Sequence, residues 1–387
     1  MSAGRESDGV IQATVRKFPN GADARTGMTN TPLSSDSPLL QPVTVGALQV
    51  PNRIWMAPLT RNRAGVDGTP SALQAEYYGQ RAGAGVIIAE GSQPSAVGQG
   101  YPNTPGLHTD AHQEGWQRIA DAVHAGGGRI VVQLMHAGRI SHTSTIGGQT
   151  PVAPSAVRAA GEVFTATGLQ PFSEPRELTA DELPGIAAEF ADAARRAVAA
   201  GLDGVELHAA NGYLLHQFLA DGVNQRTDSY GGSPQNRARF VVEVATAVSA
   251  AIGADRVGIR ISPQHGFNDI TEDDLSVYEV LVAQLAELKL AYLHVLAAAG
   301  DPIVGKLRAA WPATFVLNTG FGADSDRDEV ERIVADGVAD AVTVGRPFIA
   351  NPDLVQRWTR GAELNEPDAT TFYIGGAKGY TDYPVLA

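Results

Sequence analysis

The chain of 387 residues carries 29 basic against 42 acidic side chains, a formal net charge of −13, with 43% hydrophobic content and no cysteine. The negative balance excludes a binder of nucleic acid or anionic membrane that works through a basic patch. The lack of cysteine excludes disulfides, thiolate zinc sites, iron–sulfur clusters and a Cys nucleophile, so redox chemistry would require a bound organic cofactor.

Residues 1–37 are polar, rich in Gly, Ser, Thr, Asp and Arg, and lack the apolar stretch of a secretory signal, which predicts a disordered leader with Met28 as a second plausible start. Residues 38–387 are expected to form a single domain, soluble and cytoplasmic, because no run approaches the roughly 18 apolar residues of a membrane span. Gln41–Val50 alternates around Gly46-Ala47 and predicts a hairpin suited to closing the floor of a barrel. Eight short β-branched runs follow: Arg53–Ala57, Gly85–Ala89, Arg129–Leu134, Gly204–Leu207, Arg256–Ser262, Ala291–Val295, Thr314–Asn318 and Asp340–Val344. Between them lie helical patterns at Ser71–Ala82, Asp110–Ala125, Thr179–Ala200, Pro234–Ile252, Thr271–Leu288, Ser325–Asp336 and Asn351–Arg360. Thr179-Ala180-Asp181-Glu182 and Thr271-Glu272-Asp273-Asp274 read as acidic first turns of two of these helices.

Alternating strands and helices imply parallel pairing with right-handed crossovers, and eight such units predict a (β/α)8 TIM barrel over an open sheet. The segment from about Gly138 to Glu177, with Gly147-Gly148, Pro151, Pro154 and Pro171, exceeds what one crossover needs and predicts an excursion after strand 3, over the barrel mouth. No Gly-x-Gly-x-x-Gly follows a strand, which argues against a Rossmann dinucleotide site. Catalytic groups of such barrels sit at the C-terminal strand ends, where Gln133, His208, Arg260, Asn318 and Gly345 fall.

The fourth strand runs into Val205-Glu206-Leu207-His208-Ala209-Ala210-Asn211-Gly212-Tyr213, which sets an imidazole, a carboxamide and a phenol just past a buried strand. His208 and Asn211 offer donors that polarise a ligand oxygen, and Tyr213 offers an acidic O–H, the polar parts needed for addition to an electron-poor double bond. Met56-Ala57-Pro58-Leu59-Thr60-Arg61-Asn62-Arg63 ends the first strand, either as a turn with basic residues facing water or as backbone and a hydroxyl presented to a ring. Gln133 can meet a donor–acceptor edge such as that of a flavin pyrimidine. Arg260, between apolar neighbours, needs an anion: a carboxylate in the barrel such as Glu206, or the N1–C2=O edge of a reduced flavin. Asn318-Thr319-Gly320-Phe321-Gly322 and Gly345-Arg346-Pro347 follow the seventh and eighth strands, where glycine loops form the phosphate site of this fold or simply turn the chain. His136, His142, His216, His265 and His294 fit no metal-ligand spacing and read as packing or loop residues, and Asn224–Gly232 as a polar loop bracing the site.

From about Leu39 to Leu386 these motifs resemble, in order, the old yellow enzyme family of FMN-dependent ene-reductases. The landmarks are Met56–Arg61, Val132-Gln133-Leu134, Gly204–Gln217, Asn224–Gly232 with Asn236-Arg237, Gly345-Arg346-Pro347 and Gly379-Tyr380-Thr381-Asp382-Tyr383-Pro384. The resemblance implies FMN across the barrel mouth, with Pro58, Leu59, Thr60, Gly91, Gln133 and Arg260 around its ring and Gly320, Gly345 and Arg346 toward its phosphate. It implies NADPH or NADH as reductant, His208 and Asn211 on the oxygen of an enone or nitro substrate, Tyr213 as proton donor, and Tyr101 and Tyr373 lining the pocket. Members occur as monomers and homodimers. Asn211 stands where many relatives carry a second His, Met135 where several carry a bulky aromatic, and the stretch after His294 is small and apolar. Alternatives on the same residues are a nitrate ester or nitroaromatic reductase, a cofactor-free barrel lyase or isomerase, and a flavin binder without turnover.

Overall fold

Residues 31–320 and 325–387 are described by a computed structural model of the chain. Most of the expected leader, residues 1–30, lies outside the described residues, as do Phe321 and Gly322 of the loop after the seventh strand. In the remainder of the leader Leu33 is buried and its N–H donates to Trp358 O at 3.0 Å.

The eight predicted runs each form a strand: β1 (Ile54–Met56), β2 (Ile87–Ser92), β3 (Ile130–Leu134), β4 (Gly204–Ala209), β5 (Val257–Ile261), β6 (Tyr292–Leu296), β7 (Thr314–Asn318) and β8 (Ala341–Val344). All neighbours pair in parallel, and the sheet closes between β8 and β1 into the expected barrel. Every residue of these strands is buried, because helices cover the outside and the barrel's own side chains fill the inside.

Period-two alternation divides the interior into layers. At the bottom Trp55, Ile88, Val131, Tyr292, Val316 and Ala341 form one apolar cluster with Val45 and Val50 of the hairpin Val43–Val45 and Leu48–Val50. The hairpin therefore floors the barrel, tied by Ala47 N–H to Asp255 O at 3.0 Å. Tyr292 lies edge-on to Trp55, ring centroids 5.4 Å apart, over the space left by Gly258. One step higher the inward residues turn polar: Gln133 stands opposite Glu206, and Arg260 stands between His208 and His294.

Outside, Pro234–Ile252 forms as predicted, opened by Ser233, whose hydroxyl accepts from Asn236 N. Two expectations need correction. The helix predicted from Thr271 begins at Ser276, because the Asp273 and Asp274 N–H groups are held by the Asp221 carboxylate and Glu272 is drawn inward to His216 and Tyr278. A helix at Pro302–Ala310, capped by Asp301, has no counterpart in the sequence reading, where its short length and Gly305 hid the pattern. The excursion after β3 carries a small hairpin, Glu162–Thr165 with Gly168–Pro171, and a parallel pair, Val152–Ala153 with Arg176–Glu177. Its Ile140, Ala159, Val163 and Phe172 pack with Met135 and Tyr213, so it covers one side of the mouth.

A methyl group at Gly258 would lie 2.1 Å from the Tyr292 ring. Gly258→Ala is therefore expected to cost about 1–3 kcal/mol through overpacking. A lower urea midpoint checks this, and an unchanged midpoint contradicts the packing of the floor.

Candidate active site

The chain leaves β4 through a turn that only certain residues permit. Asn211 has φ 55° and Gly212 φ 79°, the left-handed region that Asn tolerates and glycine enters freely. A Cβ on Gly212 would also lie 2.7 Å from Asn268 Cβ. Asn211 N–H donates to Ser262 Oγ at 2.8 Å, Asn268 Nδ2 donates to Asn211 O at 2.8 Å, and Gly212 N–H donates to His216 Nδ1 at 3.0 Å. His216 Nε2 in turn lies 3.1 Å from Glu272 Oε1 and 2.9 Å from Tyr278 Oη. His216, read in the sequence as packing, is thus the brace of the turn that presents Asn211.

This turn brings the predicted trio together. The His208 and Tyr213 rings meet edge-on with centroids 4.9 Å apart, and Tyr213 Oη lies 3.1 Å from Tyr101 Oη. Tyr373 sits at the rim, 42% exposed, near enough to act electrostatically on both phenols. Burial foremost, then the neighbouring Arg260 charge, drives the His208 imidazole well below its usual pKa and keeps it neutral. Burial also raises the Tyr213 phenol, with Tyr101 and Asn268 pulling the other way. Tyr213 is protonated at neutral pH and has a proton to give. Asn268, also in left-handed backbone at φ 59°, is a site residue that sequence reasoning missed; its signal was the Gly266-Phe267-Asn268-Asp269 loop after β5.

Three buried polar atoms at this mouth have no partner in the protein: His208 Nδ1, Asn211 Oδ1 and Arg260 Nε. Buried polar groups are normally satisfied, and leaving one unpaired costs about 1–3 kcal/mol. The arrangement is that of a site completed by a ligand. Glu206, offered as a partner for Arg260, instead uses Oε1 on Gln133 at 2.7 Å and Oε2 on His294 at 2.9 Å, and acts on Arg260 through its charge.

The other candidates lie around the same rim. Pro58, Leu59 and Thr60 leave β1 half-buried beside the exit of β8, where Ala57 N–H donates to Val344 O at 2.9 Å. Gly345 and Arg346 open the short helix Arg346–Ala350, and Gly320 follows β7. Gly91, in β2, lies close against Met135, whose Sδ would be 2.7 Å from a Cβ at that position. The water-facing reading of Arg61 and Arg63 fails: both are buried, at 1% and 6% exposure. Arg61 donates to Phe372 O and Gly379 O at 2.9 Å each, and Arg63 to Phe372 O at 3.0 Å and to Thr371 O and Ile374 O at 2.6 Å each. They clamp the segment that carries Tyr373.

The low proton affinity of His208 has a direct readout. Its ring resonances in a histidine-labelled sample, assigned with a His208→Ala control, are expected to stay those of neutral imidazole from pH 8 to 5.5, where an ordinary histidine is mostly protonated. Titration near 6.5 would contradict this electrostatic picture of the site.

Comparison with known proteins places this geometry. Residues 38–365 match the model of the NADH:flavin oxidoreductase / NADH oxidase family. The chain is 42% identical to 12-oxophytodienoate reductase 1 of Oryza sativa subsp. japonica, over 90% of this chain and 93% of that protein. It is 42% identical to a probable flavin mononucleotide-dependent alkene reductase of Leishmania infantum, over 90% and 97%. Among solved structures, morphinone reductase in complex with tetrahydroNAD superposes with a TM-score of 0.86 at 46% identity, covering 90% of this chain and 98% of that one. The old yellow enzyme homologue of Zymomonas mobilis gives 0.86 at 40% identity, covering 90% and 99%. A family model spanning most of the chain, and relatives aligned almost end to end, make this protein a member of the NADH:flavin oxidoreductase / NADH oxidase family, the FMN-dependent old yellow enzymes.

Proposed function

We propose that this chain is an ene-reductase that uses NAD(P)H and FMN to saturate the double bond of an α,β-unsaturated carbonyl compound or nitroalkene. The observation that carries this reading is the pair of unpartnered nitrogens at one mouth, His208 Nδ1 and Arg260 Nε, beside a protonated Tyr213. The names of relatives that reduce 12-oxophytodienoate, morphinone and alkenes support the same substrate class.

The residues fit FMN. Arg260 offers a buried cation without a hydrogen-bonded counter-ion for the pyrimidine edge, and Gln133 a carboxamide whose NH2 end is committed to Glu206. Pro58, Leu59, Thr60 and Gly91 would border the ring, and Gly320, Gly345 and Arg346 would hold the phosphate, glycine allowing backbone N–H groups to approach. When bound, FMN supplies the chemistry of accepting hydride from the nicotinamide and passing it to the β-carbon of the substrate.

The chain's own groups do the rest. His208 and Asn211 donate to the substrate oxygen, drawing electron density from the double bond. A neutral imidazole does this without the cost of burying a second cation beside Arg260. Tyr213 gives its proton to the α-carbon, and Tyr101 Oη, 3.1 Å away, donates to the oxygen left behind. Tyr101 and Tyr373 bound the pocket, and Met135 sets its width. NADPH and the enone would use the same mouth in turn, which gives ping-pong kinetics. A cytoplasmic setting, where nicotinamide donors are kept reduced, suits the activity, and no helix among the described residues is long and apolar enough to cross a membrane.

Two variants test the roles. Tyr213→Phe should slow enone turnover by about 10²–10⁴, the usual weight of a positioned proton donor, while flavin reduction by NADPH stays near wild type. Equal slowing of both half-reactions in stopped flow would remove Tyr213 as donor. His208→Ala should weaken binding of a phenol ligand by about 0.5–1.5 kcal/mol, the net worth of a hydrogen bond between neutral groups, with FMN retained. Unchanged phenol affinity in a spectral titration would take His208 out of the site.

A further inference from the structure

Glu206 is a fully buried carboxylate that no step above uses. It stands on β4 one inward position below His208, in a polar layer drawn from several strands. Gln133 Nε2 lies 2.7 Å from Glu206 Oε1, and His294 Nδ1 lies 2.9 Å from Glu206 Oε2. His294 Nε2 lies 2.9 Å from Thr343 Oγ1, and Asn318 Nδ2 lies 2.9 Å from the same hydroxyl.

Fixed acceptors at its two ends, together with the charge state of Glu206, orient the bonds of this chain. Asn318 Nδ2 also donates to Thr343 O at 3.0 Å, and a carbonyl only accepts, so the NH2 end of Asn318 is fixed. Thr343 Oγ1 accepts from Asn318 at one end of the chain. At the other end the ionised Glu206 carboxylate only accepts, so His294 carries a proton on Nδ1 and donates it there; burial foremost lowers the His294 pKa and keeps the ring neutral, which leaves Nε2 to accept the Thr343 hydroxyl proton. Burial by itself would raise the Glu206 carboxyl, but His294, Arg260 and Gln133 together hold it below the usual carboxylate range. Because an ionised Glu206 can only accept, Gln133 turns its NH2 end to it, which leaves the Gln133 carbonyl as the free end of that side chain.

We propose that Glu206 and His294 are positioning residues for the cofactor. The ordered chain from Asn318 to Gln133 selects which end of the Gln133 carboxamide is left for the ligand. The one negative charge of the layer balances Arg260, and so sets how much more tightly the site holds the reduced form of FMN than the oxidised form. A cation at the pyrimidine edge favours the more negative form, and a carboxylate behind it opposes that preference. The proposal rests on the FMN reading given above.

Spectroelectrochemical titration of the holoprotein tests it, with FMN affinity followed by flavin fluorescence. Glu206→Gln removes the charge and is expected to shift the reduced-over-oxidised affinity ratio at least tenfold toward the reduced form, a midpoint about 30 mV more positive for a two-electron couple. His294→Leu, which strips a donor from Glu206 and favours its protonation, should move the midpoint in the same direction. His294→Gln keeps a donor and should stay at the wild-type value. Midpoints of Glu206→Gln and His294→Leu equal to wild type, or shifted to more negative values, overturn the proposal. Should Glu206→Gln fail to fold, His294→Leu decides by the same criterion. A wild-type protein that binds no FMN would defeat the cofactor reading itself, a result distinct from wild-type binding with unmoved midpoints.

Discussion

Everything at the mouth of this barrel depends on how one buried positive charge, Arg260, is tolerated. A closed ring of parallel strands turns half its side chains into a space without bulk water, where an isolated ion costs several kcal/mol. The interior meets that cost in layers. An apolar floor around Trp55 and Tyr292 excludes water, an ionised Glu206 held by Gln133 and His294 supplies opposing charge, and Arg260 remains short of a hydrogen-bond partner above it. The same Arg260 charge, added to burial, keeps His208 neutral. Charge balance, imidazole state and ligand demand are therefore one problem with one solution, set by which residues face inward at equal height.

The His208, Asn211 and Tyr213 cluster is built differently. His208 comes from a strand and inherits the precision of the barrel register, opposite Arg260. Asn211 and Tyr213 come from a turn whose left-handed backbone is held by Ser262, Asn268 and His216. The turn is thus anchored to the end of β5 and the loop that follows it, so Asn211 and Tyr213 are located by the strand that carries Arg260. The rim is fastened from the opposite end of the chain, where Arg61 and Arg63 grip the backbone that carries Tyr373.

Much of this was legible before any coordinates. The eight strands were readable because fully buried parallel strands are continuous β-branched runs, and the helix Pro234–Ile252 because Ser233 and Pro234 mark its start. The His208, Asn211 and Tyr213 cluster was readable because its residue types fit one chemistry at one strand end. What escaped was what depends on distant partners. Thr271-Glu272-Asp273-Asp274 looks like a helix start locally, yet Asp221 and His216 claim it. Arg61 and Arg63 look solvent-facing until carbonyls more than 300 residues away accept from them. His294 carries no metal-ligand spacing, and only the barrel's closure brings it to both Glu206 and Thr343.

On this reading the mouth holds FMN and passes reducing equivalents from a nicotinamide to an electron-poor double bond. An anaerobic visible spectrum of the purified protein, taken before NADPH, after it, and again after 2-cyclohexenone, tests this in one cuvette. A flavin band that bleaches with NADPH and returns with the enone is the expected result. A colourless protein that cannot be reconstituted with FMN, or a band that NADPH bleaches and the enone leaves bleached, would contradict it.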